Sequence, residues 1–290
     1  MSDNGFNTPV RELRGRIFRI ERLSALPQSV WRLLEAIGDR NTDAARLEAI
    51  ISDDPSLASK VLSLANSAYY SRAQKVTTIR RAIVVIGLDE LQLLVVGSGL
   101  ADLFDVTQAP PDFDGPGLWS HCVAVSWMAR ELAQTAQYPE PAEVMLAGLL
   151  HDLGKLVLIT HLKEEFYQVL GLVRQGMPYY EAEETLGLRH TEIGDMLAAS
   201  WRIPEVQRAA IRFHHAPRTS DPYLTSTSIV CLADVLVKAV GLGVVHQARA
   251  INVSVAMDEL KLTRDRLRDL AVQAKGSIPP MLEAWRQVMF

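Results

Sequence analysis

The chain has 290 residues, of which 48% are hydrophobic and 22% are charged, and its 34 acidic and 30 basic side chains give a formal net charge of −4. This composition is typical of a folded globular protein with one or two domains, and it excludes disordered, collagen-like and disulfide-scaffold proteins. The mild acidity also argues against a broad nucleic-acid-binding surface, which would need an excess of basic residues.

The sequence gives three indications of location. Its two cysteines, Cys122 and Cys231, are too few for a disulfide framework and suit a reducing compartment. The first 20 residues lack the apolar segment and cleavage site of a secretory signal. The two most hydrophobic stretches, 82–104 and 144–162, each contain several charged or histidine residues, whereas a membrane span has few or none. We therefore expect a cytoplasmic protein with no membrane segment.

Residues that favour the start and end of helices recur through the first hundred positions, and the alternating patterns typical of β-strands are scarce. Pro55 suits a first helical turn, and apolar residues after it recur at the spacing of one helix face. The candidate helix-capping and helix-ending residues are Asp53 or Asp54, Thr77 or Thr78, and Gly87. The sequence therefore predicts an all-α protein.

A boundary is predicted where the segment 106–117 packs three prolines and two glycines into twelve positions. After it, helices are predicted at 118–133, 144–162, from His190 or Thr191, from Glu205, at 225–240, at 263–274 and at 280–288. The predicted layout is an N-terminal arm (1–22), an N-terminal helical subdomain (23–105), a linker (106–116), a second helical bundle (117–240) and a helical C-terminal extension (241–290).

Six of the seven histidines lie between positions 121 and 215, and five of them are candidate ligands together with two aspartates, Asp152 and Asp234. Imidazole and carboxylate together suit Zn, Fe, Mn or Mg better than a metal that prefers thiolates. The neighbours His151 and Asp152 would point about 100° apart on a helix, so both reach one ion only if it lies over the edge between them. The remaining ligands must then come from other helices, as in the metal sites of helical bundles.

The motif His151-Asp152-Leu153-Gly154-Lys155, with a histidine 30 residues before it, another 39 after it, a later His-His pair and then Asp234, resembles the HD superfamily of metal-dependent phosphohydrolases. The resemblance implies one or two divalent ions (Fe, Mn, Zn or Mg), with Asp152 bridging the two ions and Lys155 holding a substrate phosphate. The ligands it implies for one ion are His121, His151, Asp152 and Asp234, and those it adds for a second are His190, His214 and His215.

The first half of the chain is similar to a narrower relative, the HDOD family of bacterial signalling modules. The similarity rests on LPQSVWRLLEAI (26–37), ISDDPSLASKVLSLANSAYYS (51–71) and TTIRRAIVVIGLDELQLL (77–94). It implies an N-terminal helical subdomain followed by an HD-type bundle with a regulatory role. The chain differs from the HD-GYP phosphodiesterases, because Ala216 and Pro217 follow the His-His pair in place of a glutamate and no Gly-Tyr-Pro follows.

Two functions are therefore predicted as alternatives. The first is a signal-transduction protein of the HDOD type with a metal site and a signalling protein partner. The second is a working phosphohydrolase acting on a nucleotide or cyclic nucleotide, in which Asp152 and Lys155 would be catalytic. A third interpretation, in which the histidines and aspartates only hydrogen-bond to one another, would bury polar groups at a cost. A homodimer is a further possible assembly, and neither membrane nor nucleic acid is expected as a partner.

Other polar residues are interpreted structurally. The two cysteines are expected to be buried as small apolar side chains. Asn66 and Ser67 are expected to make structural hydrogen bonds, because a polar pair beside a buried helix face must be satisfied. His161 and His246 are expected to lie outside the metal site, and the arginines between positions 11 and 22 to form a solvated helix face.

Overall fold

The computed structural model describes residues 28–38, 42–70, 74–104, 113–242 and 251–289. Within these ranges the chain forms α-helices joined by turns and short loops, and no β-strand occurs. The predicted all-α fold is therefore confirmed. The predicted arm, its arginines and most of the predicted linker lie outside the described residues.

Five described helices occupy the first part of the chain, and α2 packs on α1, α3 and α4. They are α1 (Gln28–Gly38), α2 (Ala44–Ser52), α3 (Pro55–Ala65), α4 (Ile79–Ile86) and α5 (Leu88–Phe104).

Local signals fix the ends of these helices. The Asp54 side chain accepts the backbone N–H of Leu57 at 3.1 Å, and Pro55 occupies the first helical position. The Thr78 hydroxyl accepts the backbone N–H of Arg81 at 3.3 Å. Gly87 follows α4 with φ of +87°, a conformation that favours glycine. The predicted caps at Asp54 and Thr78 and the predicted end at Gly87 are confirmed.

Asn66 fastens the end of α3 to the segment before α4. Its side-chain amide donates to the carbonyl oxygens of Leu62 and Val76, both at 2.8 Å, and its amide oxygen accepts the backbone N–H of Val76 at 2.8 Å. The Ser67 hydroxyl donates to the carbonyl of Leu64 at 2.8 Å. The structural role predicted for this polar pair is confirmed.

Ten further helices follow among the described residues. α6 packs on α7 and α13, α12 packs on α7, α11 and α13, and α8 packs on α9 and α11. Their bounds are α6 (Gly115–Thr135), α7 (Pro141–Leu150), α8 (Leu153–His161), α9 (Lys163–Arg174), α10 (Tyr179–Leu186), α11 (His190–Ser200), α12 (Glu205–Phe213), α13 (Leu224–Ala239), α14 (Ser254–Glu259) and α15 (Arg264–Met289).

Two helix predictions are wrong. The helix predicted over 144–162 is two helices, because α7 ends at Leu150 and α8 begins at Leu153. The two tail helices are one, since α15 continues through Pro279 and Pro280. Proline removes a backbone N–H donor, but its fixed φ near −65° is compatible with a helix.

The chain divides into two compact units. One contains the described residues of 103–271, which we call the histidine unit because it holds the five clustered histidines. The other, the apolar unit, contains the described residues of 24–102 together with those of 272–290. The end of the chain therefore belongs to the same unit as the N-terminal helices.

Among the described residues, no single helix combines the length and hydrophobicity of a membrane span. The pair formed by α4 and residues 88–100 of α5 meets that test only jointly, with a bend of 108°.

Candidate metal centre

The histidine unit brings the seven predicted metal ligands into one cluster, supplied by helices that are distant in sequence. Six of the seven side chains are 2% exposed or less, and His215 is 11% exposed. His121 lies within α6, His151 and Asp152 lie between α7 and α8, His190 begins α11, His214 and His215 follow α12, and Asp234 lies within α13.

The crossing of α6 and α7 places His121 beside His151. A Cβ atom on Gly148 would lie 2.9 Å from the Cα of Ser126, so the two backbones touch at this point. The Ser126 hydroxyl donates to the carbonyl of Met145 at 2.7 Å and ties the helices together. The two imidazole centroids are consequently 5.2 Å apart.

A second close contact places His190 beside Asp152. A Cβ atom on Gly154 would lie 1.8 Å from the carbonyl oxygen of His190 and 2.7 Å from the backbone nitrogen of Gly194. Only glycine therefore fits at the start of α8, and the N-terminal turns of α8 and α11 meet there. The Nε2 atom of His190 lies 3.3 Å from Oδ1 of Asp152 as a result.

The break between α7 and α8 changes the predicted geometry of the His-Asp pair. The prediction placed both residues on one helix, about 100° apart, whereas they form a turn in which Asp152 has φ of −98° and ψ of 14°. The turn lets both side chains face the same space, with Nε2 of His151 3.2 Å from Oδ2 of Asp152.

The Asp152 carboxylate faces two groups of imidazoles. Its Oδ2 atom lies 3.2 Å from Nε2 of His151 and 3.8 Å from Nε2 of His121. Its Oδ1 atom lies 3.3 Å from Nε2 of His190 and 3.9 Å from Nε2 of His214. One carboxylate thus presents a separate oxygen to each side of the cluster.

Asp234 completes one side of the cluster. Its Oδ1 atom lies 3.0 Å from Nε2 of His121 and 3.8 Å from Nε2 of His151. Its Oδ2 atom lies 4.0 Å from Nδ1 of His215 and accepts a hydrogen bond from Lys238 at 2.7 Å.

Hydrogen bonds at Nδ1 fix the orientation of three imidazoles. The Nδ1–H of His151 donates to the carbonyl of Gly148 at 2.8 Å, and that of His214 donates to the carbonyl of Ile211 at 3.0 Å. The Nδ1–H of His190 donates to the buried carboxylate of Glu183. Each bond assigns the proton to Nδ1 and leaves the Nε2 lone pair directed into the cluster, as in histidines that ligate metals.

The cluster contains buried polar atoms that have no hydrogen-bond partner. They include Nε2 of His121, Nε2 of His151, Nε2 of His214, Oδ1 of Asp152 and Oδ1 of Asp234. These atoms are close to one another, but they are lone-pair atoms or lack hydrogen-bond geometry, and unpaired buried polar atoms are costly. A divalent cation satisfies such atoms simultaneously, so these residues fit a metal.

The potential ligand atoms form three overlapping groups, in each of which they lie within 4.8 Å of one another. His151 and His214 each belong to two groups, which links all seven residues. The groups are His121 with His151 and Asp234, His151 with Asp152 and His214, and His190 with His214 and His215. Each of the three groups could hold a metal ion.

Neighbouring basic side chains keep the two aspartates ionised. Burial acts to raise the pKa of Asp152, but His151 and Lys155 outweigh it and hold that pKa well below its usual value. Burial also acts to raise the pKa of Asp234, but Lys238 and the nearby imidazoles outweigh it and hold that pKa well below its usual value. Both aspartates are therefore negatively charged at neutral pH.

Most of the imidazoles are held neutral. Burial lowers the pKa of His121, and burial together with neighbouring imidazoles lowers the pKa values of His214 and His215 well below the usual value. At His190 burial also acts to lower the pKa, but Glu183 and Asp152 outweigh it and raise the pKa. Neutral imidazoles and ionised carboxylates are the forms that bind metal ions.

Lys155 contacts the cluster as well. Its ammonium group donates to Oδ2 of Asp152 at 2.7 Å, and its side chain is 17% exposed. Burial acts to lower the pKa of Lys155, but the Asp152 carboxylate outweighs it and raises the pKa, so the lysine is charged.

Sequence reasoning missed two contact residues. Glu183 is fully buried, and one of its oxygens accepts both the Nδ1–H and the backbone N–H of His190. Lys238 donates to Asp234 from one turn further along α13. The four-residue spacing of Lys238 from Asp234 is a signal that could have found it, whereas no sequence signal distinguishes Glu183 from the less buried Glu181 and Glu184 beside it.

Two cysteines and two histidines were predicted to take no part in the metal site. Cys122 and Cys231 are 2% and 0% exposed, and burial raises the pKa of Cys231 to about 12, so they are buried apolar side chains as predicted. His161 ends α8 and belongs to none of the ligand groups among the described residues. His246 lies outside the described residues.

Solved structures with this architecture come from several bacteria. An HDOD domain protein with unknown function from Geobacter sulfurreducens is 25% identical, with a TM-score of 0.77 over 97% of this chain and 99% of that one. A provisionally assigned phosphohydrolase from Shewanella amazonensis SB2B is 25% identical, with a TM-score of 0.73 over 94% and 98%. A provisionally assigned signal transduction protein from Marinobacter aquaeolei VT8 is 26% identical, with a TM-score of 0.79 over 98% and 67%.

Curated relatives occur in Treponema pallidum and Bacillus subtilis, at 27% and 25% identity over 76% and 55% of this chain. The chain spans less than half of the length of these relatives, 43% and 42% respectively. The HDOD domain matches residues 23–217. Since that match covers more than half of the sequence, the chain belongs to the HDOD domain family.

Proposed function

We propose that this chain is an HDOD signalling protein whose histidine unit binds one or two divalent metal ions. The observation that carries the proposal is the set of buried ring nitrogens and carboxylate oxygens of His121, His151, His214, Asp152 and Asp234, which lie close to one another without hydrogen-bond partners. In a purely structural cluster these atoms would be paired with each other, because leaving them unpaired costs free energy.

The ligand geometry supports two neighbouring ion positions. His121, His151 and Asp234 would hold one ion, and His190, His214 and His215 would hold the other. Asp152 would serve both, because each of its oxygens faces one group of imidazoles. A structurally similar protein from Marinobacter aquaeolei VT8 is provisionally assigned to signal transduction, and we extend that role to this chain together with a signalling protein partner.

A phosphohydrolase acting on a nucleotide or cyclic nucleotide is the second candidate function. A specific observation favours it: the ammonium group of Lys155, already bonded to Asp152, belongs to a side chain that solvent reaches. When bound, a divalent ion polarises a phosphoryl oxygen and lowers the pKa of a bound water. In this chain Asp152 would hold the ions and Lys155 would orient the phosphate.

Elemental analysis of protein purified without a histidine tag or added metal tests the proposal. We expect iron, manganese or zinc at near-stoichiometric level, or uptake of one of these ions after reconstitution under reducing conditions. Asp152→Asn keeps the size of the side chain and removes its charge, so it should bind the metal at least a hundredfold more weakly while circular dichroism stays that of the wild type.

Two further results separate the candidate functions. Turnover of a phosphodiester or nucleotide by the metal-loaded wild type, lost in Asp152→Asn, would establish the hydrolase. Metal binding without turnover of any phosphoester in such a screen would favour the regulator. Protein that binds no metal even after reconstitution would contradict both functions.

A further inference from the structure

Lys238 donates a hydrogen bond to Asp234, as Lys155 does to Asp152. Each ammonium group donates to the Oδ2 atom of its aspartate at 2.7 Å, from four and three residues further along the chain. The two lysine side chains are 19% and 17% exposed, and His215 is 11% exposed, while the other six cluster residues are 2% exposed or less. Solvent therefore reaches Lys155, Lys238 and His215 more than the rest of the cluster.

The charges around the cluster leave a loaded site positive. Three buried carboxylates, Asp152, Asp234 and Glu183, stand against two ammonium groups, Lys155 and Lys238, so with neutral imidazoles the metal-free cluster carries one net negative charge. One divalent ion changes this to one net positive charge, and two ions change it to three. An uncompensated buried charge is unfavourable, so a loaded site needs an anion.

Lys238 can serve that anion while it remains bonded to Asp234. An ammonium group has three N–H donors, and the hydrogen bond to aspartate uses one. Oδ1 of Asp234 is the oxygen that faces His121 and His151, so the hydrogen bond from Lys238 to Oδ2 does not occupy the atom directed at the metal. The same side chain is therefore compatible with a metal on one side and an anion on the other.

We propose that Lys238 is an anion-binding residue of this centre and that it contacts the phosphate group of the ligand. The inference rests on the proposed metal site and its phosphate-bearing ligand, and it adds Lys238 as a residue that contacts the phosphate. Phosphate fits because its double negative charge lowers the net charge of a site with two ions from three positive charges to one, and its oxygens accept hydrogen bonds from an ammonium group.

A lysine that only stabilised Asp234 would behave differently from an anion-binding lysine. Lys238→Met removes the ammonium group and keeps most of the apolar stem. An anion-binding role predicts that phosphate affinity falls while metal affinity stays the same or rises, because a positive charge near the ion has been removed. A purely structural role predicts that metal affinity falls because Asp234 loses its orienting contact.

The experiment measures binding of inorganic phosphate to Mn²⁺-loaded protein by calorimetry, with relaxation of the phosphate ³¹P signal by the bound Mn²⁺ as a second readout. Mn²⁺ affinity of the metal-free protein is titrated separately. Lys238→Met is compared with Lys275→Met, which removes the same charge from an exposed position on α15, and with Lys238→Arg, which retains the charge.

We expect Lys238→Met to weaken phosphate binding about tenfold to a hundredfold, the loss typical of a hydrogen bond to a charged group. Lys238→Arg should recover most of that loss, and Lys275→Met should bind like the wild type. The inference is wrong if Lys238→Met and Lys275→Met bind phosphate equally, if metal and phosphate affinities fall together, or if wild-type protein binds Mn²⁺ but no phosphate. Failure of the wild type to bind any metal would overturn the proposed function as well.

Discussion

The two compact units differ in what they bury. Every buried polar or charged residue among the described positions lies in the histidine unit, including the aspartates and histidines of the cluster. The described core of the apolar unit consists of aliphatic and aromatic side chains such as Leu33, Leu64 and Trp285. Apolar burial stabilises a fold at roughly 25 cal/mol per Å², whereas buried polar groups cost free energy unless they are paired.

This difference indicates that the two units have different roles. The cluster in the histidine unit contains buried polar atoms without hydrogen-bond partners in the chain. Such atoms are typical of a ligand-binding site. The core of the apolar unit has no such atoms among its described residues apart from Thr42 Oγ1. We therefore expect substitutions in the apolar unit to change stability without changing metal affinity, and substitutions around the cluster to change metal affinity.

The largest expected effect on stability is at Leu64, whose side chain is fully buried in the apolar unit. Leu64→Ala should lower the free energy of unfolding by roughly 2–5 kcal/mol, the cost of an apolar cavity. Metal affinity, measured well below the unfolding transition, should equal that of the wild type. Leu88→Ala is the control, because Leu88 is 47% exposed and should lose less than about 0.5 kcal/mol. A weaker metal site in Leu64→Ala would contradict the separation of roles.

A second substitution should affect both properties at once. In Gly154→Ala the new Cβ would lie 1.8 Å from the His190 carbonyl, so α8 and α11 must move apart. We expect a loss of about 3 kcal/mol, the upper end of the range for overpacked cores, and weaker metal binding because His190 moves with α11. The measurements are chemical unfolding and metal titration.

Gly171→Ala is the matched control for Gly154→Ala. Gly171 lies in α9 and a Cβ atom there would contact nothing within 4 Å. Alanine is the better helix former by up to about 1 kcal/mol, so this variant should be as stable as the wild type or more so, with unchanged metal affinity. Equal behaviour of the two glycine variants would show that the contact between α8 and α11 is unimportant.

Metal removal should destabilise the wild type. A ligand that binds only the folded state at a hundred times its dissociation constant adds about 2.7 kcal/mol to the free energy of unfolding. Chelation should therefore lower the unfolding temperature of metal-loaded protein, and readdition of the metal should restore it. The unfolding temperature of Asp152→Asn should be the same with and without chelator, since this variant binds metal too weakly.

Most of the fold could be predicted because its signals are local. Asp54, Thr78 and Gly87 act within a few residues of their positions, and all three were assigned from sequence. The break at His151 and Asp152 was not predicted from sequence. The residues before and after it are mostly apolar, so the hydrophobic pattern shows no interruption at this point. The break depends on packing of α8 against α11, which no local pattern records.

The candidate ligands could be assigned from sequence because their residue types and spacings resemble a known motif, and the structure brings all seven together. The residues that orient them are harder to find. Glu183 belongs to the segment YYEAEETL, which also contains Glu181 and Glu184. Only the three-dimensional packing, which buries Glu183 completely and directs it at His190, separates it from these neighbours.

Glu183 therefore supplies the last prediction. Its carboxylate accepts the Nδ1–H of His190 and thereby aligns Nε2 with the cluster. Glu183→Gln keeps the shape and removes the charge, so the imidazole becomes a weaker and less well oriented ligand. Substitution of such orienting partners typically costs tenfold to a hundredfold in metal affinity, which corresponds to roughly 1.4–2.7 kcal/mol.

The loss should be confined to one side of the cluster. His190 belongs to the group with His214 and His215, whereas His121, His151 and Asp234 form the other group. If two ions bind, calorimetry should show that Glu183→Gln weakens one of them and leaves the other unchanged. Glu184→Gln is the control, because that side chain is 44% exposed and pairs with Arg189. Equal weakening of both ions, or the same loss in Glu184→Gln, would show that Glu183 acts on the stability of the whole unit, since an orienting contact to His190 alone cannot weaken the ion held by the other group.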